Sequence, residues 1–303
     1  MSLSTISKML PRPNFWSLAV FALIMFASAN YSQAQLIYSN NFDQYDGSRK
    51  YRESDLNNDW NSPEWSNGVS KGRVKIDSGW QAYGNQGSSL AVKYPTGKYG
   101  TKNTGAQWKM DLGDSYEEVL LSYSVKFKRG FDFVKGGKLP GLAGGQSPTG
   151  NAPADGFNGW TARMMWRTAH TGNPGSPKQK TSNAISYAKY DQSGSDGDGK
   201  DEDETFFSEG GTPAGQLTEL KSNRWYEITQ RIRMNTPGQF NGVIQIWVDD
   251  QLVVDKQDVR FRNVASLGID QVYFSTFFGG GYSWRTSKYE TAYFDNFMVF
   301  AVE

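Results

Sequence analysis

The stretch Glu118-Val-Leu-Leu-Ser-Tyr-Ser-Val-Lys-Phe-Lys128 alternates in character. Leu121, Tyr123, Val125 and Phe127 fall on one side, and Ser122, Ser124, Lys126 and Lys128 on the other. Successive side chains of an extended chain point to opposite faces, so this pattern predicts a strand with one face on a core and one toward water. Residues 225–234 repeat it with one break, at Gln230. Residues 243–248, the pair Asp249-Asp250 and residues 251–254 read as a hairpin. Residues 36–43, 271–278 and 291–302 read as further strands, and no long stretch carries helical periodicity. Aromatic residues make up 15% of the 303 and there are 33 glycines, a balance that suits packed sheets joined by turns. The reading is an all-β chain, a sandwich or jelly roll, with its first and last strands side by side.

Residues 1–34 read as a secretory leader. Lys8 and Arg12 supply the basic start, residues 15–29 the apolar segment, and Ser32-Gln33-Ala34 the small-residue cleavage site. One domain over 35–303 follows, with no linker or internal repeat. The expected location is secreted or periplasmic, with no membrane association after cleavage. The chain has no cysteine, which excludes disulfides, thiolate nucleophiles and cysteine-held zinc. The single histidine, His170, lies in a Gly/Pro-rich stretch and reads as a loop residue.

The net charge of +1 hides segregation. Without residues 1–34 there are 30 bases against 31 acids, and seven of those acids crowd between Asp191 and Glu204 beside one lysine. The remaining body is basic by five charges, which fits a polyanionic partner. The excess is small and no nucleic-acid motif is present, so nucleic acid is not the expected partner. The acidic stretch does not have calcium-loop spacing and reads as a solvated loop. Residues 147–158 and 171–181 read as two further Gly/Pro/Asn-rich loops.

Candidate chemistry gathers in four places. The run Phe131-Asp-Phe-Val-Lys-Gly-Gly-Lys-Leu-Pro-Gly-Leu-Ala-Gly-Gly145 carries Lys135 and Lys138 on what reads as a rigid, open loop suited to gripping an anion. In Thr161-Ala-Arg-Met-Met-Trp-Arg167, Ala162, Met164 and Trp166 point to the core. Thr161, Arg163, Met165 and Arg167 point the other way, offering guanidinium forks suited to carboxylates. In Ile185-Ser-Tyr-Ala-Lys-Tyr190, Tyr187 and Lys189 share a face and Tyr190 points away unless a bulge intervenes. A tyrosine, ordinarily titrating near pH ~10, gains phenolate character only with cations beside it. The glycine turn in 274–284 presents Trp284 for stacking on a sugar ring.

Several blocks together resemble polysaccharide lyase family 14, the jelly-roll alginate and glucuronan lyases. They are Gly105-Ala-Gln-Trp-Lys109, the 131–145 run, 162–167, Trp247-Val-Asp249, Phe274-Ser-Thr-Phe-Phe-Gly-Gly280 and Tyr293-Phe-Asp-Asn-Phe297. The resemblance implies Lys138 as catalytic lysine, Arg163 as the arginine of a Ser-x-Arg pair whose serine is here Thr161, and Tyr187 as the first member of a Tyr-x-Tyr pair. At the second position stands Lys189, with Tyr190 one residue on, so either is a candidate for that role. Lys135, Thr161, Arg167, Lys189 and Trp284 are the expected substrate-binding residues.

The implied activity is cleavage of a polyuronate by β-elimination, with no metal or organic cofactor required by the scheme. Two other classes remain: a glycan-binding protein without catalysis, and a glycoside hydrolase. The hydrolase needs a pair of carboxylates across the bond, and no strand carries a convincing pair.

Overall fold

The computed structural model describes residues 34–168, 180–191, 205–207 and 219–302. The leader up to residue 33, His170, all but the last two residues of the 171–181 loop and the 192–204 part of the acidic stretch lie outside them.

Two antiparallel sheets form a jelly-roll sandwich. The first runs in the order Gln251–Val259, Gly242–Val248, Trp225–Arg233, Glu118–Phe127, Glu290–Val302, Ser88–Tyr94, Val74–Ser78, Arg49–Lys50. Ala34–Asn40 pairs with Glu290–Val302, so the first and last strands are neighbours, as expected. The second sheet runs Thr205–Phe207, Thr181–Lys189, Gly159–Arg167, Gly136–Gly145, Ile269–Phe278, Ala106–Tyr116, Ser66–Asn67, with Glu219–Lys221 also on Thr181–Lys189. Asp249 and Asp250 both have positive φ, 48° and 69°, as a tight two-residue hairpin turn requires.

Large rings fill the space between the sheets. Trp108 stacks flat on Phe274 at 4.0 Å, and Tyr123 stacks on Phe297 at 5.3 Å. Phe127 meets Trp166 edge-on at 5.5 Å. Such pairs add to the burial of large apolar area and lock the two sheets in register.

One expectation is corrected. The 118–127 strand is not half-exposed: all ten residues are buried. The Lys126 end of its polar side is covered by the 79–85 segment, where Lys126 Nζ donates to the Trp80 carbonyl at 2.8 Å. A short helix, Glu53–Asp59, also occurs; at seven residues it is too short to leave a period in the sequence.

Candidate active site

The register of the second sheet assembles a line of side chains on its outer face. Tyr187 lies opposite Arg163, Arg163 opposite Gly141, Gly141 opposite Tyr273, and Tyr273 opposite Lys109. Directly opposed residues project from the same face of a sheet. One row therefore crosses five adjacent strands. A second row beside it runs Ile185, Met165, Lys138, Phe277. Met165, Ile185 and Tyr187 form an apolar cluster of their own, apart from the main core, with Trp284 packed against it.

The strand that carries Lys138 is built unusually. Residues 136–145 form a central strand, not the open loop expected, and all but Gly145 are buried. The sequence conceals this because glycine, leucine and proline there follow no alternation. Each glycine answers a neighbour: a Cβ at Gly137 would run into the Trp166 ring, and one at Gly141 into the Ala162 carbonyl. Pro140 sits in a bulge, where the register with 159–167 shifts between Leu139 and Gly141. A bulge is where a sheet interior tolerates a proline.

The opposite sheet satisfies the backbone that the bulge loosens. Gln230 accepts from Leu142 N at 2.9 Å and donates to the Ala162 carbonyl at 2.9 Å. Tyr123 OH donates to the Pro140 carbonyl at 3.2 Å. The break at Gln230 in an otherwise alternating strand is thus a polar plug reaching across the sandwich. Without such partners the buried groups would each cost about 1–3 kcal/mol.

Two cations converge on one ring. Lys138 Nζ stands 2.7 Å from the centroid of the Tyr187 ring, and the Arg163 guanidinium carbon 5.3 Å from it. Arg163 also lies 5.0 Å from the Tyr273 ring and donates to Ser275 Oγ at 3.2 Å. Lys138, Arg163 and Tyr187 keep only 7%, 3% and 6% of their surface exposed. Low exposure strengthens electrostatic interactions with anything that enters. Gln107 donates to Ser275 Oγ at 2.7 Å, completing a polar strip beside the arginine.

The neighbouring titrations bear the mark of that burial. Desolvation pushes the Tyr273 phenol up, while Arg163 and a hydrogen bond with Thr149 pull it back. Desolvation, and then the positive Arg163, lower Lys109 from the ordinary lysine range. None of the side chains in the two rows is a carboxylate, so the rows do not offer the acid pair a glycoside hydrolase uses.

The other expected residues divide. Trp284, Arg167 and Lys135 gather alongside the second row, on its far side from the first: Arg167 pairs with Gly136, its guanidinium lies 4.4 Å over the Trp284 ring, and Lys135 Nζ donates to Ser283 Oγ at 3.2 Å. Thr161 and Lys189 do share the outer face but are covered by the 147–150 turn. Thr161 Oγ1 donates to the Pro148 carbonyl at 3.3 Å and Lys189 Nζ to the Gly150 carbonyl at 2.9 Å. Their contacts hold that turn in place along the other flank of the long row, rather than facing open space. Tyr190 is turned away: it belongs to the main core cluster, 5.8 Å from the Phe261 ring. No bulge brings it round, because 181–189 pairs with 161–167 in unbroken register.

Gln107, Lys109, Tyr273 and Ser275 were not singled out from the sequence. The available signal was alternation: Gln107 and Lys109 alternate with Ala106, Trp108 and Met110, and Tyr273 and Ser275 flank Phe274. Among the described residues no group of three or more Asp, Glu or His could hold a metal ion.

A family model described as polysaccharide lyase 14 matches residues 83–297. A search of curated proteins finds no match. Among solved structures, the chain is similar to the alginate lyase Aly36B at 23% identity, covering 86% of this chain and 95% of that one, with a TM-score of 0.67. It is similar to the marine PL-14 alginate lyase from Aplysia kurodai at 22% identity, covering 88% and 99%, with a TM-score of 0.63. The alginate lyase vAL-1 from Chlorella virus matches at 21% identity over 71% and 85%, with a TM-score of 0.55. At these identities the structural matches speak for the jelly-roll fold.

Proposed function

The chain belongs to the polysaccharide lyase 14 family and is a polysaccharide lyase, and we propose that its substrate is a polyuronate, alginate or glucuronan, cleaved by β-elimination. The observation that carries this reading is the placing of two cations, Lys138 and Arg163, against the ring of one phenol, Tyr187. An acidic sugar needs its carboxylate charge offset before the adjacent C5 can release a proton. Arg163, steadied by Ser275, offers a planar fork for that carboxylate, and Lys138 adds a second positive charge.

In the proposed step Tyr187 acts as phenolate, its charge offset by the two cations against its ring, and takes the C5 proton. The C5–H electron pair becomes the C4=C5 double bond as the C4–O bond breaks. The leaving oxygen keeps that bond's electrons and receives the proton back from Tyr187. Proton and charge balance, and no other reactant is consumed. Acid–base help of this kind contributes about 10²–10⁴-fold in rate. With Tyr190 in the core, one tyrosine serves as both base and acid.

The fit to a polyanion also draws on the basic excess of the body outside the 191–204 stretch. Lys8, Arg12 and the apolar segment 15–29 support secretion or export to the periplasm.

Mass spectrometry of the products tests the proposal. Elimination gives one fragment lighter by a water molecule than its hydrolytic counterpart. Fragments from alginate or glucuronan that all carry the full mass of hydrolysis would reject it, as would intact polymer of both kinds.

A further inference from the structure

Beyond Lys109, the last position of the long row, lies a cavity of about 640 Å³. Its floor is Lys109, Asp111, Gln146 and Gln271, and its lip is the 61–65 segment that ends in Trp65. This size falls within the range of about 300–1,000 Å³ typical of small-ligand sites.

The lip is preformed. Trp60, fully buried, is wedged among Trp108, Phe274 and Phe297 with ring centroids 5.2, 5.5 and 5.0 Å away. Directly after it, Asn61 and Ser62 both take positive φ, 53° and 52°. That backbone is uncommon outside glycine and turns the chain sharply. Asn61 Nδ2 then ties the turn to the Asp111 carbonyl at 3.0 Å. On the far side, Ser66 pairs with Trp108 in the sheet. Held at both ends, the lip presents Trp65 edge-on to Tyr273, 6.3 Å between centroids, with 39% of its surface open.

We infer that this cavity is a distal sugar subsite, taking one further acidic sugar of a chain that runs along the long row from Tyr187 across to Trp65. The inference rests on the polyuronate reading above. Trp65 supplies an apolar face for the ring. Lys109 supplies one cation; its Nζ lies 5.4 Å over the Tyr273 ring and donates to the Gln146 carbonyl at 3.2 Å, so it is held at the junction of row and cavity. Asp111, Glu64, Gln146 and Gln271 offer acceptors and amides suited to hydroxyls. With acids among its walls the cavity has room for one carboxylate, at Lys109, and takes the rest of the sugar by its hydroxyl edge. Across five strands about 4.8 Å apart the rows extend for roughly 19 Å, so only a chain of several sugars fills both the Tyr187 region and the cavity.

The experiment compares kcat/KM on polyuronate oligomers of increasing length for the native chain and for Trp65→Ala. The native value should climb once an oligomer is long enough to reach the cavity. Trp65→Ala should remove about fivefold of that gain, in keeping with a lost ring contact, and leave the shortest cleaved oligomer unchanged. Lys109→Met keeps the aliphatic stem over Tyr273, and should raise KM for long oligomers more than it lowers kcat. A Trp65→Ala length profile that parallels the native one, or that drops equally at every length, overturns the subsite. Calorimetry with an intact tetrasaccharide in a Lys138→Ala background separates the two readings. If no unsaturated product ever forms but Trp65→Ala still weakens the tetrasaccharide, the subsite stands and the lyase reading for that polymer falls. If product forms and Trp65→Ala leaves both affinity and length profile unchanged, the subsite falls alone.

Discussion

Tyr187 and Arg163 face each other directly across neighbouring strands, and the guanidinium carbon lies 5.3 Å from the centre of the tyrosine ring. Their pairing is fixed by seven consecutive register positions between 161–167 and 183–189. A slip of one residue by the 181–189 strand would send Tyr187 to the core side of the sheet and leave Arg163 without it. The site therefore depends on strand register as much as on residue identity.

Replacement of Arg163 by Lys keeps a positive charge but loses the planar fork. Turnover should fall by at least about 10²-fold, the scale of one lost electrostatic contact to a developing charge. Lys138→Ala should fall as far. Steady-state rates on polyuronate, with circular dichroism melts to show an intact fold, check both. Retention of near-native rates in both folded variants contradicts the assignment.

The two tyrosines should separate cleanly. Tyr187→Phe removes the hydroxyl but leaves the ring, and should cost about 10²–10⁴-fold in kcat with the melting temperature preserved. Tyr190→Phe changes a ring packed on Phe261 in the core and should leave kcat within about twofold, because nothing in the proposed step passes through it. A Tyr190→Phe variant that folds normally yet is as inactive as Tyr187→Phe would return the acid role to Tyr190.

Gln230→Leu tests the plug beneath the bulge. Leucine fills the space but leaves Leu142 N and the Ala162 carbonyl without the Gln230 side chain. The loss should be about 2–6 kcal/mol in urea unfolding, two buried backbone groups at once. Turnover at low temperature should fall as well, since Arg163 is anchored one residue beyond Ala162. A loss below about 0.5 kcal/mol would mean that the bulge closes unaided.

Asp295 gives the fold a pH dependence. Burial pushes its carboxyl up to about 8, against the pull of hydrogen bonds from Tyr83 N and Asn296 N and of the Lys126 charge. The unfolded chain releases this proton near pH ~3.9, so between that pH and about 8 the folded state binds more protons. The stability it contributes is complete below the lower value and is lost as pH rises through the upper one. The melting temperature should therefore decline from mildly acidic to mildly alkaline pH, and Asp295→Asn should flatten the decline. An equal slope in both proteins contradicts it.

Strands with alternating side chains were legible from sequence, as 118–127, 225–233 and the 242–259 hairpin show. The outward facing of Arg163 was legible as well, from period-two alternation, but its pairing with Tyr187 depends on the register between the two strands. The 136–145 strand was not legible. Its glycines are set by close approach of Trp166 and of the 162–163 backbone, and its proline by a bulge that two residues of the other sheet support. Gln107, Tyr273 and Ser275 reach the site through pairings between strands more than 150 residues apart in the chain, which local pattern does not encode. Tyr190 was left open because one added residue in a strand reverses a side chain, and only the observed register decides it.

The most direct measurement follows ultraviolet absorbance while the purified chain acts on alginate and on glucuronan, with Tyr187→Phe run beside it. A rising signal from a new C4=C5 double bond in at least one polymer, abolished by Tyr187→Phe at unchanged fold, is the predicted result. Absorbance that stays flat on both polymers while their chains shorten, or a Tyr187→Phe variant that matches the native rate, would contradict it.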